Sequence, residues 1–562
     1  MMKRSVFKLR MPAKDWVWGP SPHWKIYSSA KKSLQSKNVS VMRGVTKLAG
    51  DYQESIIEAY KNMLIKARKA MKPKFSTLHR HGTFGTSTNF LWINSKKKGE
   101  SFKSRRNFMS ERLEVLLSSE EIDKTLRFKE ETAFFNTQLT ARIDFNELSS
   151  NRPMEDQKFA FRSVNDNGII VGLLDGHGGN SFAEKVKKYL PLYVSAALVD
   201  SQFEAIDSFC SSSLVEPIIT GPNVEEDSFI TNYLLNYIKE VAEKTPVQND
   251  PGTFSMYVRQ LLGPTMLLSS EEMLEKKDIS DCLKEAFVRL DLDMVNNILE
   301  SSKSGNLKQN DLGMTSSGCC ALVTYLNGSD LHVANSGDCR AVMGSLHDGM
   351  WSAIQLTLDH TANSNPEEVQ RILLEHPKEE SRTCFQYGRL LGRLAPLRAF
   401  GDIRFKLDAE QQKMLIGSID PKFKSFSNLK TPPYLTAEPE VFRYRLEKSD
   451  KFVVMATDGL WDMLSNQEVI ELVGSYIEGR AADMMLKRAV SASISNLDEV
   501  LASQNTSDPE KDNVATFLIR CALGGYDTGN LSAMLTLPYP DVRMYRDDIT
   551  VAVIFFDHDV NN

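Results

Sequence analysis

The sequence predicts an α+β fold, antiparallel sheet with helices laid on its faces. Three observations carry that expectation. Residues 319–326 and 331–335 are two apolar runs joined by Asn327-Gly328, and both joining residues accept the positive φ that a tight hairpin demands. Helices with clear start signals stand between such runs. Residues 366–375 have Asn365 as N-cap and Pro366 at the first position, and Ser465-x-x-Glu468 is a capping box opening a helix to residue 477. Finally, residues 169–174 form a short apolar run rich in β-branched residues and flanked by Gly, and residues 452–458 and 549–556 are two further apolar runs that end in or open from Asp, as buried strands do.

Each of those last three runs meets a carboxylate. The stretch GIIVGLLDGHGG, residues 168–179, stops as a strand at Asp175 and continues as Gly176, His177, Gly178 and Gly179. Residues 452–458 read FVVMATD, followed by Gly459, and Asp547-Asp548 open the run 549–556. A fourth acidic site, Glu155-Asp156, precedes the first strand, and Asp338 sits in a Ser-Gly-Asp turn after the hairpin. A lone Asp-Gly-His is best read as a turn with a surface histidine. Recurrence changes the balance, because converging carboxylates repel one another unless cations lie between them. Carboxylate beside exposed backbone carbonyl suits a hard ion such as magnesium or manganese, and the glycines allow close approach. The imidazole of His177 can hold and release a proton near neutral pH.

Composition narrows the classes. The 562 residues carry an ordinary apolar fraction and no run of about 18 apolar residues, so no membrane span is expected. Residues 1–50 hold eleven Lys/Arg against one acid, Asp15; with a chain total of −5, the remainder carries −15. A basic, acid-poor, Ser-containing start reads as a mitochondrial transit region, the alternative being a basic tail for an acidic partner. An acidic remainder repels a phosphate backbone and argues against nucleic acid. The seven cysteines include no CxxC, which speaks against both a disulfide framework and a zinc knuckle. No Cys is followed by Arg six positions later, and neither a Gly-x-x-x-x-Gly-Lys loop nor HExxH occurs.

Along the chain, residues 51–112 read as a basic, loosely organised linker, with a short basic helix at 56–71 and Lys96-Lys97-Lys98 beyond it. A helix at 113–129 marks entry to a folded domain over 113–557, with 558–562 as a tail. A helix is expected at 181–197. Residues 200–310 read as a helical insertion over the core, its best helix at 279–299 with Leu283, Phe287, Leu290, Met294 and Ile298 on one face.

Taken together, MED, DGHGG, SGDCRAV, RAFGD, ATDGLWD and RDDIT occur in an order that resembles the metal-dependent Ser/Thr protein phosphatases of type 2C, over residues 113–557. NRPMED, RLLGRLAPLRAFGD, TPPYLTAEPEV, NVATFLIRCALGG and RMYRDDIT resemble its pyruvate dehydrogenase phosphatase branch. The resemblance implies an α-β-β-α sandwich of two antiparallel sheets flanked by helix pairs, with two Mg²⁺ or Mn²⁺ at one end. Asp175 would bridge both ions, the Gly176 carbonyl would bind one, Asp458 and Asp547 would hold the second, and Glu155 would act through water. Asp338 matches a position tied to a weaker third ion, and a turn-capping role is its alternative. Asp156 and Asp402 are divided between support of the site and structure. The position where many members carry a phosphate-gripping Arg is Asn151, with Arg152 beside it.

The implied reaction is direct attack of a metal-bridging hydroxide on phosphoserine, His177 protonating the departing oxygen. The implied substrate is phosphorylated pyruvate dehydrogenase, activated by its dephosphorylation in the mitochondrial matrix. The implied partners are the lipoyl domain of the acetyltransferase core, assisted by calcium, and a regulatory subunit. A type-2C phosphatase with other mitochondrial or cytosolic substrates is the runner-up, and a pseudophosphatase scaffold is a third reading.

Overall fold

The computed structural model describes residues 117–134, 140–162, 168–200, 277–305, 313–417, 423–485, 511–525 and 527–557. The expected transit region, the 51–112 linker with its basic helix, the 558–562 tail and most of the 200–310 stretch lie outside them. In chain order the elements begin with α1 (Ser119–Leu126), β1 (Glu131–Phe134), β2 (Thr140–Leu148), β3 (Gln157–Arg162), β4 (Ile169–His177) and α2 (Ser181–Asp200). There follow α3 (Ile279–Lys303), β5 (Gly318–Asn327), β6 (Asp330–Ser336), β7 (Arg340–His347), β8 (Met350–Gln355) and α4 (Pro366–Glu375). The short strands β9 (Phe385–Gln386), β10 (Arg389–Leu390) and β11 (Phe400–Gly401) precede α5 (Ala409–Ile416), β12 (Glu440–Arg445) and β13 (Asp450–Ala456). Last come α6 (Asp458–Trp461), α7 (Asn466–Ile477), α8 (Val514–Leu523), α9 (Thr528–Thr536) and β14 (Ile549–Phe556).

One sheet runs β1-β2-β14-β13-β7-β8 and the other β12-β6-β5-β4-β3, with β11 paired to the end of β5. Neighbouring strands are antiparallel throughout. The period-2 alternation explains the layers. In β4, Val171 and Leu173 enter the core between the sheets, while Ile170 and Leu174 face α2 and α3. In β13, Val453 and Met455 enter that same core, while Phe452 and Val454 pack with Val469 of α7 and Phe517 of α8. Both faces of these strands are buried, so they read as unbroken apolar runs rather than alternating ones. Burying each such side chain is worth about 1.5–3 kcal/mol. The result is a four-layer α-β-β-α sandwich, as the resemblance implied. Among the described residues no helix is long and apolar enough to cross a membrane, and the six cysteines are buried and form no disulfide.

Several boundaries differ from expectation. The first helix begins at Ser119, where Ser118 and Glu121 form a capping box; residues 113–116 lie outside the described set. The hairpin turn consists of Gly328 (φ 56°) and Ser329, because Asn327 still pairs with Asp330. Asp175 does not end its strand: β4 continues through Gly176 and His177, which pair with Cys319 and Gly318. The expected helix 279–299 extends to Lys303. It is core rather than cover, because Leu283, Phe287 and Leu290 pack with Phe182 and Leu190 of α2. The capped starts of α4 and α7 are as expected, with Asn365 accepting from the Glu368 amide and Ser465 from that of Glu468.

α4 anchors the loop that leads to β11. Glu368 is buried and receives the Arg398 guanidinium through two bonds of 2.9 Å, with Arg371 on its other side. Burial alone would raise its pKa, but the two arginines bring it down from 4.5 to about 2. A carboxylate depressed in this way stabilises the fold above its unfolded pKa and loses that contribution as pH falls toward its folded one. Glu368→Gln is therefore expected to cost about 3 kcal/mol at pH 7. In urea titrations the gap from wild type should shrink to less than half by about pH 3.

Candidate active site

Antiparallel pairing brings the acidic positions to one end of the sandwich. Gln157 pairs with Leu174, so Glu155 and Asp156, just ahead of β3, fall beside the Asp175 end of β4. Ala456 pairs with Val551 on one side and Arg340 on the other, so Asp458, Asp547 and Asp338 share that end of the second sheet. The two sheets are tied together there by Asp156, whose Oδ2 accepts from Thr457 Oγ1 at 2.9 Å and Thr550 Oγ1 at 2.7 Å. Asp156 is thus a clamp, occupied by hydroxyls.

The two Asp-Gly pairs share a steric reason. A Cβ on Gly176 would lie 2.2 Å from the Glu155 carbonyl oxygen, and one on Gly459 would lie 2.0 Å from that of Asp548. Each glycine lets a neighbouring acidic segment close onto the aspartate before it. Asp548 itself is committed to backbone. Its carboxylate accepts from the Ser150, Asn151 and Glu155 amides at 2.5, 2.8 and 2.8 Å and from Asn151 Nδ2 at 3.0 Å. Asp547, with its side chain 41% exposed, is the member of that pair turned toward the opening.

Electrostatics mark the cluster as strained without cations. Burial, then Asp458, Asp156, Asp338 and Asp547, push the Asp175 carboxyl well above its usual range. Burial, then Asp338 and Asp547, do the same to Asp458. Asp547 and Glu155 are also raised, burial being the main cause, although Arg543 opposes it in both. Glu155 Oε1 accepts from the Gly179 amide at 2.5 Å. Asp338, raised by burial, receives the Cys320 thiol at 3.1 Å.

The donor set fits a hard divalent ion. Among the described residues no three His, Cys, Asp or Glu side chains close into a ready-made cage. Magnesium does not require one: it keeps several waters and takes one or two carboxylates. Asp175, Asp458 and Asp547 with the Gly176 carbonyl offer that kind of open, oxygen-only surround.

His177 and Asp402 form a pair. His177 Nε2 lies 2.6 Å from Asp402 Oδ2, and among the described residues its Nδ1 makes no hydrogen bond. Burial, the largest single influence, lowers the imidazole pKa, but Asp402, through its charge and hydrogen bond, and the charges of Asp338 and Glu155 together turn the net direction up. Asp402 stands at φ 48°, with its amide on the Ser317 carbonyl at 3.1 Å. The aspartate in RAFGD is visible in the sequence; its pairing with a histidine 225 positions earlier is not.

The expected phosphate grip sits differently. Asn151 is buried and spends its side chain on Asp548 and Arg543, while Arg152 is exposed and outside these contacts. Arg543, not singled out from sequence, donates to Glu155 Oε2 at 3.1 Å, to Asp547 Oδ2 at 3.2 Å and to Asn151 Oδ1. Its position four residues before Asp547 was the available signal.

Comparison with known proteins agrees with this architecture. The protein phosphatase 2C family model matches residues 224–498. The human mitochondrial [pyruvate dehydrogenase [acetyl-transferring]]-phosphatase 1 is 35% identical over 437 residues, 74% of this chain and 78% of that one. Human phosphatase 2 of the same name is 35% identical over 478 residues, covering 78% and 84%. The Saccharomyces cerevisiae phosphatase 1 is 28% identical over 516 residues, covering 84% and 78%. With that extent of identity and two sheets ending in a shared acidic cluster, the chain belongs to the protein phosphatase 2C family and is a protein serine/threonine phosphatase.

Proposed function

We propose that this phosphatase depends on Mg²⁺ or Mn²⁺ and acts on phosphoserine of the mitochondrial pyruvate dehydrogenase complex. The observation that carries the chemistry is that strand register brings Asp175, Asp458, Asp547 and Glu155 to one end of the sandwich, where Arg543 bonds both Glu155 and Asp547. Asp175, Asp458, Asp547 and the Gly176 carbonyl would hold two ions, Glu155 would act through water beside them, and Asp338 would serve a weaker third. Such ions, when bound, neutralise the carboxylates, acidify water and polarise phosphoryl oxygens.

The remaining work falls to the chain. Asp402 holds His177 through Nε2 and favours its protonated form, leaving Nδ1 to deliver a proton to the departing seryl oxygen. Asp548 and Asp156 keep the segment around Glu155 in register with β14 and β13. A thiolate route is disfavoured: burial pushes the thiols of Cys319, Cys320 and Cys339 well up.

The substrate rests on relatives named pyruvate dehydrogenase phosphatases and mitochondrial. A matrix location, the transit role of residues 1–50, lipoyl-domain docking with calcium and a regulatory subunit belong to the same proposal and rest on family resemblance. The test is phosphate release by the full chain from phosphorylated pyruvate dehydrogenase complex and from an unrelated phosphoprotein. We expect preference for the former, loss with chelator and recovery with Mg²⁺ or Mn²⁺. Equal rates on both would replace the substrate, and chelator-insensitive turnover would remove the metal.

A further inference from the structure

We propose that Arg543 is the residue that grips the phosphoryl group of the substrate. The inference rests on the phosphatase chemistry above and names a contact of that same site.

Arg543 lies in a 3-10 turn, Asp541–Met544, which carries it to the mouth of the acidic cluster. Its guanidinium spans Glu155 and Asp547, two of the carboxylates that a divalent ion would engage, and its Nη1 also rests on Asn151 Oδ1. The side chain is 23% exposed, so the planar fork is both anchored and reachable. A guanidinium stays protonated in proteins, so the fork is a fixed cation at that mouth.

The other arginines nearby are committed or remote. Arg546 is buried and spends its donors on the carbonyls of Met534, Ser149 and Asp547. Arg152 is exposed and outside the cluster's contacts. Divalent ions that drew these carboxylates toward themselves would weaken the hold of Glu155 and Asp547 on the Arg543 fork. A phosphomonoester arriving at the same mouth offers two oxygens in the geometry that guanidinium recognises. In the metal-free fold Arg543 is also a competitor for the metal, because it neutralises the same oxygens.

The experiment uses the full chain and Arg543→Met and Arg543→Lys. Orthophosphate binding to the Mn²⁺-loaded protein is read by calorimetry, KM and kcat are read on a phosphoserine peptide, and Mn²⁺ affinity is read without phosphate. Arg543→Met should weaken orthophosphate about 10–100-fold, the scale of a charge-assisted contact. KM should rise in step and kcat should fall less. Arg543→Lys should recover part of the loss, and Mn²⁺ should bind at least as tightly as in wild type. Unchanged orthophosphate binding overturns the assignment, as does a loss of Mn²⁺ affinity that accounts for the whole effect. If Arg543→Met does not fold, the lysine variant decides: several-fold weaker orthophosphate with unchanged melting supports the grip, and an unchanged constant overturns it. A wild type that binds orthophosphate through Arg543 yet releases none from any phosphoprotein would sink the proposed function and leave this contact standing. A wild type that turns over with an Arg543-independent phosphate constant would do the reverse.

Discussion

Asp175→Asn is expected to abolish turnover and, at the same time, to stabilise the metal-free protein. The carboxyl of Asp175 is raised well above its ordinary pKa by burial and by Asp458, Asp156, Asp338 and Asp547. A carboxylate raised on folding costs stability at any pH above its unfolded value, so a neutral amide removes that cost at pH 7. In chelator the variant should melt about 2 °C or more above wild type. Added Mg²⁺ or Mn²⁺ should raise the melting temperature of wild type far more than that of the variant. Turnover should fall by at least about 10²–10³-fold, since several kcal/mol of charge stabilisation are withdrawn. A variant that melts lower than wild type in chelator would mean that the cluster is not under electrostatic strain. Sites of function are often held at such a cost.

Loss of the proton donor should separate substrates by leaving group. His177→Asn is expected to lower kcat on a phosphoserine peptide by about 10²–10⁴-fold. On an aryl phosphate, whose phenolate departs without help, the fall should be much smaller. Asp402→Asn should reproduce part of the effect and also move the pH profile. The imidazole pKa is raised by Asp402, and the donor works only while protonated, so the rate declines as pH climbs through that raised value. Without the Asp402 charge the decline should begin at lower pH. Equal losses on both substrates, or an unmoved profile, would assign His177 to structure instead.

Much of this was legible from residue order. The strands around 169–174, 452–456 and 549–556 announce themselves by nearly continuous apolar runs, because both of their faces are covered. The caps at Asn365 and Ser465 are visible because a side-chain oxygen and the amide it serves are three residues apart. Aspartates at strand ends signal a shared site for the same reason of proximity to a readable element. Boundaries were less visible. The Asn-Gly dipeptide suggested its own two residues as the turn, but cross-strand pairing of Asn327 with Asp330 moved the turn to Gly328-Ser329. The 279–303 helix resembled a cover because the long stretch before it hides its partner, α2, from any local reading.

Sequence by itself determined the principal buried strands and capped helices, that carboxylates stand at or near the ends of three of those strands, and the family to which the ordered motifs belong. Only the tertiary structure decided how those carboxylates divide their work. Asp156 and Asp548 are drawn into hydroxyls and backbone amides, Asp402 turns to His177, and Arg543 reaches Glu155 and Asp547. Strand and helix signals arise from neighbours a few residues apart, whereas a carboxylate's role depends on which donor stands within about 3 Å of it, and those donors come from chain segments hundreds of residues away.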